Sequence, residues 1–123
     1  MKNQAYRMAM LFDFYGDLLT ERQREFYDLY YNEDLSLAEI AENYGISRQG
    51  VRDVIVRAEA AMTEIEDKTH IIRRFQQSRP AIAAIGQAAD TLLQSIDRRS
   101  YNDAMLDEIA RTIKENVAKL EQE

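Results

Sequence analysis

The chain has no cysteine, a single histidine, one proline and four glycines among its 123 residues. Each scarcity excludes something. Without cysteine there is no disulfide, no thiolate zinc site and no thiol nucleophile. With His70 alone, neither a His-His metal pair nor a Ser-His-Asp set can be built. So few helix breakers favour a continuous, all-helical chain. No apolar run approaches the roughly 18 to 20 residues needed to cross a bilayer, so membrane insertion is not expected. The start, MKNQAYRMAMLFDFYG, does not read as a signal peptide, because its apolar segment is short, is followed by acids and lacks a small-residue cleavage site. A cytoplasmic location is the expectation. No P-loop, GxGxxG or HExxH motif occurs, so no enzyme, no cofactor and no metal site is expected.

What the sequence does contain is a helix-turn-helix pattern over residues 36–58, SLAEIAENYGISRQGVRDVIVRA. Ser36 and Glu39 form an S-x-x-E capping box, and Leu37, Ile40 and Ala41 follow at helical spacing. Gly45 suits the left-handed turn residue at a helix end. Ser47 can cap a second helix opening with Arg48, Gln49 and Gly50, whose apolar face is Val51, Val54, Ile55 and Ala58. Two amphipathic helices precede this motif. Asn3 is the expected cap of one running to about Leu19 on a Met8, Leu11, Phe12, Tyr15 and Leu19 stripe, with Gly16 inside it. Thr20 and Gln23 form the capping box of the next, which turns Phe26, Leu29 and Tyr30 to the core. Tyr27, Tyr30 and Tyr31 fit base stacking less well than a core role with the hydroxyls at the rim.

After the motif, Val51, Ile55, Ala58, Met62, Ile65, Thr69 and Ile72 alternate in steps of four and three. This predicts one helix of roughly 25 to 30 residues with a heptad-like seam, broken at Ser78-Arg79-Pro80. The seam serves an intramolecular bundle or a homodimer through the helices after Val51 equally well. A further helix is expected on Ile82, Ile85, Ala89, Leu92 and Ile96. Arg98-Arg99-Ser100 then interrupts, and a last helix capped by Ser100 or Asn102 carries Leu106, Ile109, Ile113, Val117 and Leu120.

Charge constrains function. The net charge is −6, and residues 1–68 hold 8 Lys and Arg against 14 Asp and Glu. Phosphate neutralisation dominates duplex affinity, so an acidic chain suits non-specific DNA poorly. Yet residues 47–58 carry Arg48, Arg52 and Arg57 against Asp53, a local net of +2. If the second motif helix enters a major groove, Ser47 and the free N–H groups beside it can meet a phosphate. Arg48 or Arg52 can read guanine, and Gln49 adenine or a phosphate. Arg57 then sits over the backbone. Every one of these residues has a plainer use: Ser47 as a cap, the arginines as solvated surface, Asp53 as their ion-pair partner. The acids Glu64, Glu66 and Asp67 fit a solvated helix face better than a cation site.

These residues also carry a family resemblance. The run LLTERQREFYDLYYNEDLSLAEIAENYGISRQGVRDVIVRAE is similar to the fourth region of sigma factors, whose helix-turn-helix reads promoter DNA. It departs from a sigma domain in Asp53 and in the acid-rich residues 59–67. The combination of LFDFYGDLLT, LYYNEDLSLAEIA and SRQGVRDVIVR resembles the YlxM family of small bacterial helix-turn-helix proteins more fully, over roughly residues 8–68. That resemblance implies an accessory or regulatory role in the signal recognition particle pathway, beside whose GTPase gene the family's genes lie. Its implied partners are nucleic acid, as DNA or RNA, and components of the particle. The fold expectation is therefore all-α, with a sigma region 4-like helix-turn-helix domain at 1–68 and a C-terminal helical extension at 69–123. A sequence-specific DNA regulator and a structural dimer are the competing functions.

Overall fold

The computed structural model describes residues 4–122. Six α-helices follow one another: α1 (Ala5–Tyr15), α2 (Glu21–Tyr31), α3 (Leu37–Tyr44), α4 (Arg48–Thr69), α5 (Ile71–Asp97) and α6 (Asp103–Glu121), with a 3-10 turn at Gly16–Leu18. The fold is all-α, and the described residues contain no strand. None of the helices is long and apolar enough to cross a membrane. The chain divides into two compact units, Met1–Ile72 and Arg73–Glu123.

In the first unit α4 packs against α1, α2 and α3. Leu11, Phe26, Tyr27, Ile40, Val51, Ile55 and Met62 are its largest fully enclosed side chains. Removing one such side chain from water contributes about 1.5–3 kcal/mol. The α4 seam is therefore used up within the chain. Val51, Ile55, Ala58, Met62 and Ile72 are buried and Ile65 packs beside them, so this seam has no free face to offer a second molecule. The first helix is shorter than its apolar stripe suggests. α1 stops at Tyr15, and the chain tightens into the 3-10 turn where a Cβ on Gly16 would lie 3.1 Å from the Phe12 ring. Asn3, the expected cap, lies outside the described residues. Gln4 stands in the cap position and makes no side-chain cap bond.

The long helix expected to run from the motif to Pro80 does not exist as one piece. α4 ends at Thr69, where His70 takes a left-handed conformation (φ 54°). Side chains force this break. The Glu66 carboxylate accepts the Ile72 N–H at 2.9 Å and the Tyr15 hydroxyl at 2.6 Å, while Thr69 Oγ1 lies 3.0 Å from that hydroxyl. With the Ile71 N–H directed at Thr69 Oγ1 (3.4 Å), the first donors of α5 are met by side chains instead of a preceding turn, which is how a capped new helix starts. Pro80 breaks nothing and lies inside α5.

The second unit is an α5–α6 hairpin. Arg99 (φ 50°) closes α5, with the Ser100 N–H on the Ser95 carbonyl, and the Asn102 carboxamide oxygen caps α6 through the Met105 N–H at 2.9 Å. The two helices face each other across a cleft of about 410 Å³ lined by Ala84, Ala88 and Thr91 on one side and Met105, Ile109 and Thr112 on the other. The buried line of α5 is Ala81, Ala88 and Ser95, spaced by seven, with Ile85 and Leu92 half-buried. That is a rotation away from the expected stripe: Ile82, Ala89 and Ile96 are exposed. The side of α5 turned toward α6 is thus made of small residues, with Ser95 Oγ 3.9 Å from Met105 Sδ. On α6 Asn116 is buried, its amide bonded to the Thr112 carbonyl at 2.8 Å, while Val117 is exposed.

Candidate nucleic-acid interface

The helix-turn-helix is built by local chemistry. The Ser36 box closes both ways, Glu39 N–H to Ser36 Oγ at 3.1 Å and Ser36 N–H to Glu39 Oε1 at 3.2 Å. Ile40 and Ala41 bury the inner face of α3. Gly45, at φ 65°, ends the helix in the left-handed region, where a side chain would be strained, and the Ile46 N–H returns to the Ala41 carbonyl. The next helix then starts at once. Ser47 Oγ accepts the Gly50 N–H at 2.9 Å, and a Cβ at Gly50 would sit 3.1 Å from that oxygen. Glycine at this third helical position keeps the cap uncrowded.

Ser47, Arg48, Gln49 and Arg52 belong to this helix start, Arg57 follows in the third turn of α4, and all five are exposed. They do not share one face. At ~100° per residue, Arg48 and Arg52 lie together on one flank of α4. Arg57 lies on the other flank, roughly 140° from Arg52. Gln49 and Asp53 stand between them, opposite the buried line of Val51, Ile55 and Ala58. The outermost residues of the helix are therefore a glutamine and an aspartate, and the Gln49 amide donates to the Asp53 carboxylate at 2.9 Å. Asp53 takes no arginine as its partner. Among the described residues no carboxylate comes within ion-pairing distance of Arg48, Arg52 or Arg57, although elsewhere Arg24, Lys68 and Arg111 are paired. Ser47 keeps its hydroxyl proton, because the cap uses only the oxygen lone pair.

The tyrosines are structural. Tyr27 is fully buried and donates to the Met8 carbonyl at 2.7 Å, with its ring stacked on Phe12 at 5.2 Å. Tyr31 donates to Glu59. Burial, then the Glu59 charge, raises the Tyr27 pKa; burial, then the bond to Glu59, raises that of Tyr31. Tyr44 is raised by its bond to the Glu25 carboxylate and then by burial. That Tyr27 turns its hydroxyl inward was not readable from spacing, since the acceptor is a helix carbonyl 19 positions upstream. The acids Glu64 and Glu66 are likewise committed, to Lys68 at 3.1 Å and to Tyr15 and the Ile72 N–H. Among the described residues no group of three His, Cys, Asp or Glu converges on a point.

Comparison with known proteins matches this arrangement to one family. The model for UPF0122, described as "Putative helix-turn-helix protein, YlxM / p13 like", matches residues 2–101. A UPF0122 protein of Bacillus thuringiensis is 47% identical over 87 residues, which is 71% of this chain and 79% of that protein. Another, of Desulforamulus reducens, is 45% identical over 80 residues, covering 65% and 68% of the two chains. A third, of Halalkalibacterium halodurans, is 41% identical over 106 residues, covering 79% and 97%.

Proposed function

This chain belongs to the UPF0122 family of YlxM/p13-like helix-turn-helix proteins, and from that premise we propose that it is a non-enzymatic accessory or regulatory protein of the signal recognition particle pathway. It acts in the cytoplasm by binding nucleic acid, the particle's RNA first, through the start of α4. The observation that supports this reading is the set of three exposed arginines without ion-pair partners, carried on the two flanks of the first three turns of α4 in an otherwise acidic unit. Exposed and without ion-pair partners, the three guanidinium groups are open to an external anion. Two flanks of cation on either side of a polar ridge suit two phosphate backbones bordering a groove, with the Ser47 hydroxyl as a third phosphate donor.

The first test is titration of the protein with the particle RNA, mixed-sequence duplex DNA and the pathway GTPase at two salt concentrations. RNA binding is expected to weaken with salt. Replacing Arg48 and Arg52 together by alanine should lower the log–log salt slope by about 1.4–1.8, one phosphate being lost per arginine. Absence of binding to both the RNA and the GTPase overturns the reading. The acidic excess over residues 1–68 favours a second reading, docking on a basic surface of the GTPase. In that case affinity for the GTPase survives the double replacement. A sequence-specific DNA regulator is the remaining alternative, and it requires one duplex sequence to be preferred.

A further inference from the structure

The α5 helix carries an apolar stripe that nothing in its own hairpin covers. Ile82 (54% exposed), Leu93 (65%) and Ile96 (54%) stand in water, and Ala89, also exposed, lies on the same line. At ~100° per residue, Ile82, Gly86, Ala89, Leu93 and Ile96 fall on one side of the helix, roughly a third of a turn round from the buried Ala81, Ala88 and Ser95 line. Large aliphatic side chains gathered on one helix face mark a contact surface.

Gly86 adds a second observation. It sits in the middle of the stripe and in the interior of a 27-residue helix, where glycine weakens a helix relative to alanine. A Cβ there would meet nothing within 4 Å, so the single chain gives no steric reason for glycine. A second helix crossing closely at this point does.

Charge identifies that helix. Residues 71–89 hold Arg73, Arg74 and Arg79 and no acid, whereas residues 90–97 hold Asp90 and Asp97 and no base. A helix basic in its first part and acidic in its last is complementary to itself run antiparallel. With a two-fold axis between residues 85 and 86, Ile82 meets Ala89 and Ile96 meets Phe75, so bulky residues oppose small or flat ones. Arg79 then lies about 3 Å along the axis from Asp90 of the second copy, on the same edge of the stripe. We propose that the exposed α5 face binds a second copy of this chain in antiparallel register, joining two α5–α6 hairpins into a four-helix bundle that carries two helix-turn-helix units.

The full chain is tested by sedimentation equilibrium and by cross-linking. The wild-type protein is expected at twice its 14.3 kDa mass, and Ile82→Glu combined with Leu93→Glu at the mass of one chain, with helical circular dichroism retained. Arg79→Asp or Asp90→Arg alone should weaken association about tenfold or more, and the two together should restore most of it. Register is read separately, since the chain has no native cysteine. Phe75→Cys mixed with Ile96→Cys should form the mixed disulfide, and Ile96→Cys alone none. A monomeric wild-type chain overturns the proposal whatever else covers the stripe, as does a dimer unaffected by the Ile82 and Leu93 changes. Efficient self-linking of Ile96→Cys, the mark of a parallel pair, overturns it as well.

Discussion

Tyr27 separates two contributions that a single buried side chain makes to the first unit. Its ring is fully enclosed and stacks on Phe12, while its hydroxyl donates to the Met8 carbonyl. The Met8 carbonyl also lies within α1, so it keeps a helical partner when the hydroxyl is removed. Tyr27→Phe should therefore cost only about 0.5–1.5 kcal/mol, the net value of one hydrogen bond. Tyr27→Ala leaves a ring-sized cavity and should cost about 3–5 kcal/mol. Urea unfolding of both variants checks the split, and equal losses would refute it. At this scale the caps were the most legible feature of the sequence. Thr20–Gln23, Ser36–Glu39 and Ser47 each place an acceptor at a fixed distance from a donor three residues on, so they are written in the order of the chain. Tyr27 was harder because its acceptor is remote. Asp53, which the sequence offers to a neighbouring arginine, instead accepts from Gln49 four residues before it, because that spacing puts both side chains on the outer ridge of α4.

Elements show a different balance between propensity and tertiary bonds. Proline in a helix interior removes one backbone hydrogen bond and crowds the carbonyl four residues back, at a cost of about 3 kcal/mol. Pro80 nevertheless lies within α5, exposed to solvent, with Ala81 buried immediately after it. Pro80→Ala should restore the donor to the Gln76 carbonyl without touching the core, and raise the stability of the second unit by about 2 kcal/mol. Differential scanning calorimetry would show a higher transition for that unit, and a lower one would mean the proline is positioning the chain. The true break, one residue after Thr69, has neither proline nor glycine. It depends on Tyr15, Glu66 and Thr69 meeting across 51 and 54 positions of sequence, which no local pattern encodes. The same reason explains the rotated face of α5. Ile82, Ala89 and Ile96 do form the stripe that periodicity picks out, but Ala81, Ala88 and Ser95 are the buried line, and Ala88 and Ser95 face α6.

For the whole molecule, the two units differ most in their tyrosines. Tyr15, Tyr27, Tyr31 and Tyr44 all lie in the unit Met1–Ile72, and all four have pKa values raised from 10.0. The unit Arg73–Glu123 has one tyrosine, Tyr101, which is exposed. A raised pKa in the fold means that the unfolded chain loses its phenolic proton first. The stabilisation is thus complete below about pH 10 and is lost as pH rises through the folded values. For the fully buried Tyr27 alone the slope is about 1.4 kcal/mol per pH unit. Phenolate charges also add to a chain already at −6, so repulsion acts in the same direction. Alkaline titration should therefore unfold the first unit while the hairpin keeps its helices. Far-ultraviolet circular dichroism followed from about pH 8 to 12 should show a partial loss of helix, coincident with a cooperative rise in tyrosinate absorbance. Tyr27→Phe should start from lower stability at neutral pH yet lose it less steeply above pH ~10. A single transition removing all the helix would show instead that the two units are not independently stable. A gradual tyrosinate rise centred near the ordinary value, with the helices intact, would show that the buried hydroxyls are not what holds the first unit together.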